Sequence, residues 1–401
     1  MREIAIRVAT VAVTVLVMLL LAEGMLRLMP SLIGVAVLER FHPSLRTEIA
    51  GRLGLATQAD RLIVASAERA DKGPDLALHF PNRRYVRPVD QPDAEIGGVE
   101  HFDTDSLGFC NPPGLAERRP IHVASIGGSI PNCTAVVAAD NYTARLGEML
   151  GINAYNLAVP GVGPYEYLET LRRFGGGLAP KIVVMTIAES NDLRDIERFH
   201  RFKARDGRPR KDAGAGGLFA ASYALAFLKG GVEVAIRSLR DSGGANFRYS
   251  VTVQGRRVPL NVNNGDVDEL KLAQQIEQGR ISPRLYEDSV AAFAALSRQM
   301  GFVPLVVLVP AAYTTYAETI EYEDAAITAA MRRYSDVQRQ WFADNSARLG
   351  VRYFDATARM RELARERPLL FFPSNVHLTA EGHKALAEAV APAVRELLGG
   401  Q

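Results

Sequence analysis

The chain lacks most of the marks that would assign a function by composition. It has no basic excess: 47 Lys and Arg stand against 45 Asp and Glu, a formal net charge of +2. A dedicated nucleic-acid surface, which needs clustered cations, is thereby excluded. The densest basic run, Arg201 to Gly214, is interleaved with Gly and Asp and reads as a solvated loop. Cysteine is nearly absent: Cys110 and Cys133 are the two present. They form either one bridge or a pair of small buried thiols. There is no G-x-x-x-x-G-K-[ST] phosphate loop. Metal-ligand spacing is also missing. His383 lies six residues after His377, and no Cys or carboxylate stands at ligand spacing from either. His42, His79, His101, His122 and His200 show no partner pattern and read as structural. No metal or cofactor is implied.

Long apolar runs are absent after the first thirty residues. The stretch Gly217–Leu228 is too short to span a bilayer and predicts a packed amphipathic helix. The N-terminus differs. Arg2 and Arg7 precede an uncharged run from Val8 to Ala22, and Glu23 and Arg27 follow. With Ile4–Ile6 and Met25–Leu26 included, and Arg7 snorkelling, the run reaches spanning length. A cleaved signal peptide is the competing reading, but no small-x-small cleavage site follows Leu21. Residues 1–28 are therefore expected to form an uncleaved membrane anchor. Either reading exports the rest of the chain, to a compartment where a disulfide persists.

At 401 residues the chain holds one large domain or two small ones. Residues 29–120 are punctuated by Pro and Asn and predict a lead segment of extended and turn pieces packing on the core. After Pro120 the pattern becomes regular. Strand-like runs at 121–126, 154–159, 181–187, 302–310 and 351–356 alternate with helical periods, one opened by Pro164 and another closed by Gly151. The strands are β-branched and do not alternate, so both faces are buried, as in a parallel sheet. The fold class is α/β, doubly wound. Residues 199–282 break the rhythm and read as an insertion containing a hairpin, Tyr249–Val262. The final helix starts near Thr379, and Pro392 is expected to bend it or to lie near its end.

In doubly wound sheets ligands bind beyond the carboxyl ends of the strands. Ser129 follows the first strand, Gly161 the second, Asn191 the third, and His377 the last strand-like run, Leu369–Phe372. Ser129, after Gly127 and Gly128, is expected on a tight turn at a helix start, where backbone N–H groups favour an oxyanion. Each residue alone also fits a plainer role, as a cap or a turn. The α/β-hydrolase elbow G-x-S-x-G is absent, because Pro131 replaces its last glycine.

Four blocks in order, "GGS" at 127–129, "NLAVPG" at 156–161, "SND" at 190–192 and "SNVH" at 374–377, make the chain resemble the SGNH/GDSL hydrolase superfamily. The resemblance implies a three-layer, flavodoxin-like fold over residues 121–401. It implies Ser129 as nucleophile, His377 as general base, and Ser129 N–H, Gly161 N–H and the Asn191 amide as oxyanion donors. Members act on lipids and acylated glycans as esterases or O-acyltransferases. An anchored, periplasmic-facing protein of a bacterial inner membrane acting on an envelope glycan or lipid is the corresponding expectation. Two departures stand out. Gly128 occupies the place of the family's usual Asp. The Asp that normally precedes the catalytic His by two or three residues is replaced by Ser374 and Asn375. Three consequences are open: a dyad in which Asn375, Ser374 or a backbone carbonyl orients His377; another carboxylate, Glu189 or Asp192, reaching the ring; or a pseudoenzyme that binds carbohydrate or an envelope partner. If Cys110 and Cys133 are bridged, the lead is pinned beside Ser129.

Overall fold

The alternation after Pro120 folds into the expected parallel sheet. The computed structural model describes residues 1–64, 75–87, 98–203, 220–241, 248–261, 264–322, 325–373, 375 and 377–400. The chain opens with α1 (Arg2–Leu28), α2 (Val35–Leu38) and α3 (Pro43–Arg52). Five short strands follow: β1 (Leu55–Thr57), β2 (Leu62–Val64), β3 (Leu76–Leu78), β4 (Arg84–Val86) and β5 (His101–Asp103). Then come β6 (Val123–Gly127), α4 (Tyr142–Leu150), β7 (Ala154–Asn156), α5 (Pro164–Leu178), β8 (Ile182–Ala188) and α6 (Asp192–Lys203). The inserted part holds α7 (Tyr223–Asp241), the hairpin β9 (Arg248–Val253) and β10 (Arg256–Asn261), and α8 (Asn264–Glu277). The remainder is α9 (Glu287–Met300), β11 (Val303–Val309), α10 (Ala312–Thr315), β12 (Ile320–Tyr322), α11 (Ala325–Asn345), β13 (Arg352–Asp355), α12 (Thr357–Glu366) and α13 (Ala380–Gly399).

The chain divides into two compact units. One comprises Met1–Arg61, Arg83–Gln91 and Pro209–Ala245; the other comprises Leu62–Asn82, Pro92–Arg208 and Asn246–Gln401. The lead and the insertion are thus each shared between the units.

The first unit has its own small core of Leu26, Ile33, Leu38, Phe41, Leu45, Ile49, Tyr223 and Ala226. A buried ion pair braces it: Arg46 Nε donates to Asp60 Oδ1 at 2.8 Å, while Thr57 N–H and Oγ1 hold the other oxygen. Among the described residues, α1 is the one helix long and apolar enough to cross a membrane. Its 27 residues span about 40 Å at 1.5 Å per residue. The amphipathic helix predicted at Gly217–Leu228 starts later, at Tyr223, and runs to Asp241; residues 217–219, and 204–214 of the basic run, lie outside the described residues.

The second unit carries the sheet, in the order β13-β11-β8-β6-β7, with every neighbouring pair parallel. In sequence order this is a doubly wound arrangement whose switch point lies between β6 and β8. Both strands are buried along their whole length, which explains their unbroken apolar character. The hairpin turns at Gln254-Gly255, both at positive φ (50° and 76°), a geometry that matches the twist of its strands. It extends onto β12 as a separate three-stranded sheet.

Two expectations are corrected. No helix starts at Ser129: residues 128–135 form consecutive turns, and α4 begins only at Tyr142, capped by the Asn141 side chain. Pro131 packs back on the end of β6: a Cβ at Gly127 would lie 2.5 Å from Pro131 Cγ. The run Leu369–Phe372 is not a sheet strand; one antiparallel bridge, Phe371 to Leu378, is all it forms. Pro392 lies inside α13, which continues to Gly399.

Candidate active site

Three of the candidates, Ser129, Gly161 and Asn191, follow the carboxyl ends of sheet strands. Ser129 is half-buried, two residues beyond β6. The chain leaving β7 is tied to the chain leaving β6: Leu157 N–H donates to Ser125 O at 2.8 Å and Val159 N–H to Gly127 O at 3.0 Å. Two asparagines stitch the same turns together. Asn156 Nδ2 donates to Pro131 O at 2.8 Å, and Asn132 Nδ2 to Ala158 O at 3.0 Å. Gly161, two residues past Val159, is thereby held beside the serine turn. Its φ of +79° favours glycine, and a Cβ there would meet nothing within 4 Å. Asn191 closes the turn between β8 and α6, on the far side of the switch point. Among the described residues no acceptor takes the Ser129 or Gly161 N–H or the Asn191 amide hydrogens, and Ser129 Oγ makes no hydrogen bond. Uncommitted donors at three adjacent strand ends can share one anionic oxygen.

His377 is placed from the opposite direction. Its loop is closed by Phe372 N–H donating to His377 O at 3.0 Å and by Thr379 N–H donating to Leu370 O at 2.9 Å. The first turn of α13 presses so closely on Leu370 that a Cβ at Gly382 would stand 2.0 Å from its carbonyl oxygen. The next residue, buried His383, accepts the Tyr142 N–H on Nδ1 at 3.2 Å. The base loop is therefore fastened to the start of α4, the end of the segment that leaves β6 with Ser129. Burial, and then the charge of His377, push the His383 pKa down to about 3. His383 is a neutral structural residue, as its place in the helix suggested.

Among the described residues, Asn375 lies against the His377 ring. Its Oδ1 accepts the His377 backbone N–H at 2.8 Å and lies 2.9 Å from His377 Nδ1. The backbone donor settles which end of the amide points here, since only the oxygen can accept. An amide oxygen can only accept, so this contact suits the tautomer that carries its hydrogen on Nδ1. An amide oxygen there can accept a hydrogen bond where a triad carboxylate would, but adds no negative charge. Ser374 lies outside the described residues.

Neither alternative carboxylate serves His377. Glu189 accepts from Thr314 Oγ1 at 2.7 Å and Ala311 N–H at 3.0 Å, one bond per oxygen. Burial raises its pKa to about 7. Asp192 accepts from Tyr167 OH at 2.8 Å and Ala188 N–H at 2.9 Å, and burial beside Asp195 pushes its pKa well up.

Sequence reasoning missed Tyr167. Its hydroxyl would stand 2.7 Å from a Cβ at Gly128. The tyrosine fills the space a larger residue at 128 would need, so the absent Asp and the Tyr167–Asp192 bond belong together. No local pattern marks Tyr167, which reads as an ordinary helix residue. The lead was better signposted. Asp105 accepts from Leu107 and Phe109 N–H, Asn111 Nδ2 and Tyr155 OH. Asn111 also grips both backbone groups of Asn156. Cys110 and Cys133 are bridged, with Cα atoms 6.1 Å apart, so the lead is pinned to the turns after Ser129.

No family model matches the sequence, and no curated protein does. Solved structures do match. A GDSL-like lipase from Bacteroides thetaiotaomicron is 12% identical, with TM-score 0.34, over 70% of this chain and 94% of that one. A variant of an acetyl-xylooligosaccharide esterase from Geobacillus is 11% identical, with TM-score 0.35, over 68% and 94%. A carbohydrate esterase family 2 enzyme with a carbohydrate-binding domain from Corynascus is 13% identical, with TM-score 0.35, over 70% and 67%.

Proposed function

We propose that the chain is a membrane-anchored, extracytoplasmic ester hydrolase or O-acyltransferase of the SGNH type. Ser129 Oγ attacks the ester carbonyl carbon while its proton passes to His377 Nε2. The carbonyl oxygen, now an anion, takes the Ser129 and Gly161 N–H groups and the Asn191 amide. Collapse breaks the bond to the alkoxide, which leaves with the proton from His377, and the acyl group stays on Ser129. Water or a sugar hydroxyl then gives up its proton to His377 and takes the acyl group, regenerating the serine. Water as acceptor makes the enzyme an esterase, and a sugar makes it an acyltransferase. The substrate class is an acylated glycan or lipid of the cell envelope.

The observation that carries this reading is the Asn375–His377 pair. With Nδ1–H donated to that amide oxygen, Nε2 is the nitrogen that takes the serine proton. The disulfide supports an oxidising compartment, and α1 supports an anchor. Turnover of p-nitrophenyl acetate tests the chemistry. We expect it in the wild type and its loss in Ser129→Ala and His377→Ala. Wild-type turnover in folded His377→Ala would remove His377 as the base. No turnover by the folded wild type would favour a protein that only binds acylated glycans.

A further inference from the structure

The first unit carries an apolar surface that the active-site account does not use. In α7, Tyr223, Ala226 and Gly230 face inward. Tyr223 and Ala226 are buried in the unit's core, and a Cβ at Gly230 would sit 3.0 Å from Val37 O and 3.3 Å from Arg40 Cβ. At 3.6 residues per turn the opposite face carries Leu228, Val232 and Ile236. These are 53%, 58% and 45% exposed, a stripe of large aliphatics at i, i+4 and i+8 on the side away from α2.

The start of α7 is welded to the last turns of α1. Glu23 Oε2 accepts Ala224 N–H at 2.9 Å and Ser222 Oγ at 2.8 Å. Arg27 Nη2 donates to Ala221 O at 3.0 Å, and its guanidinium lies 5.0 Å over the Tyr223 ring. Arg52 joins the two, donating to Arg27 O and to Tyr223 OH. Where α1 ends, its own apolar exposure continues through Met25, Leu28, Met29 and Leu32. The stripe on α7 therefore begins at the level where α1 leaves the apolar phase. A helix with one polar and one apolar face at that level lies in a bilayer interface.

We infer that α7 lies on the membrane and inserts Leu228, Val232 and Ile236 into the acyl boundary of the leaflet from which α1 emerges. Together α1 and α7 hold the first unit at two points, one spanning and one lateral, and a lateral contact stops a single-helix anchor from swivelling. The partner is a lipid surface. The proposal rests on α1 spanning the bilayer.

Because the native cysteines are bridged, Val232→Cys supplies a single free thiol in the full chain. It is labelled with an environment-sensitive fluorophore and reconstituted in vesicles of phosphatidylcholine and phosphatidylglycerol. The expected result is blue-shifted emission, quenched more strongly by lipids spin-labelled just below the headgroup than by labels near the chain ends. That pattern corresponds to insertion on the order of 5–10 Å. Emission that no spin-labelled lipid quenches, in protein that floats with the vesicles, overturns the inference while leaving the anchor intact. This holds whether the stripe then faces water or a second copy of the chain. Protein that does not float with the vesicles overturns both.

Discussion

Replacing Asn375 by Asp should accelerate the enzyme, and the size of the gain follows from two distances. Oδ1 of Asn375 lies 2.8 Å from the His377 amide nitrogen and 2.9 Å from Nδ1. Aspartate has the same reach and would meet the same two donors with a charged oxygen. A neutral hydrogen bond contributes about 1 kcal/mol net, and one to a charged group about 1.5–3 kcal/mol. The difference, about 1–2 kcal/mol, appears chiefly when the imidazole has become imidazolium, which is the state reached as Ser129 attacks. At 1.36 kcal/mol per tenfold, kcat should rise roughly 5- to 30-fold. The carboxylate also favours protonated His377, so the acidic limb of the pH–rate profile should move to higher pH. Asn375→Leu, which keeps the size but removes the acceptor, should lower kcat on the order of 10²–10⁴-fold. The assay is p-nitrophenyl acetate turnover across pH, with thermal unfolding to confirm the fold. A folded Asn375→Asp protein with unchanged or lower kcat and an unmoved acidic limb would refute the tautomer argument.

Gly382→Ala should destabilise the fold by about 3 kcal/mol or more, because the new methyl would meet Leu370 O at 2.0 Å; denaturant unfolding reads this, and a wild-type midpoint would contradict the packing. Glu189 should give stability a pH dependence. Burial raises its folded pKa to about 7, above an unfolded value near 4.3. Its contribution is therefore complete below the unfolded value, declines as pH rises, and is gone above about 7, a few kcal/mol in all. Glu189→Gln should flatten that decline, and an unaltered slope would show that Glu189 is ionised in the fold. Removing the bridge with Cys110→Ser and Cys133→Ser opens a loop with a separation of 23 residues. The cost should be about 3 kcal/mol, with a fall in kcat as the turns after Ser129 loosen; equal stability in reduced and oxidised protein would argue against a bridge in solution.

The sheet was legible because parallel strands buried on both faces leave unbroken apolar runs, and Val123–Gly127 and Ile182–Ala188 are such runs. The hairpin was legible from Gln254-Gly255 between alternating segments. Ser129, Gly161 and Asn191 were singled out because strand ends in a doubly wound sheet face one edge, so order along the chain predicts proximity. What stayed hidden depends on contacts between distant residues. Nothing near Ser129 shows that the chain runs through turns rather than entering a helix at once. Tyr167 carries no signal for its place beside Gly128. The division of the insertion, with α7 joining α1 and the hairpin joining β12, is a matter of which surfaces meet. The role of Asn375 needed coordinates, since the sequence shows an amide but not which of its ends faces the ring.

The central claim is that Ser129 is a nucleophile activated by His377. Intact-mass analysis after treatment with a fluorophosphonate tests it most directly, because the probe needs only an activated serine and no knowledge of the natural ester. The account predicts one adduct on the wild-type chain, mapped to the peptide containing Ser129, absent in Ser129→Ala and strongly slowed in His377→Ala. A folded wild-type protein that forms no adduct, or forms it equally in Ser129→Ala, would contradict the account.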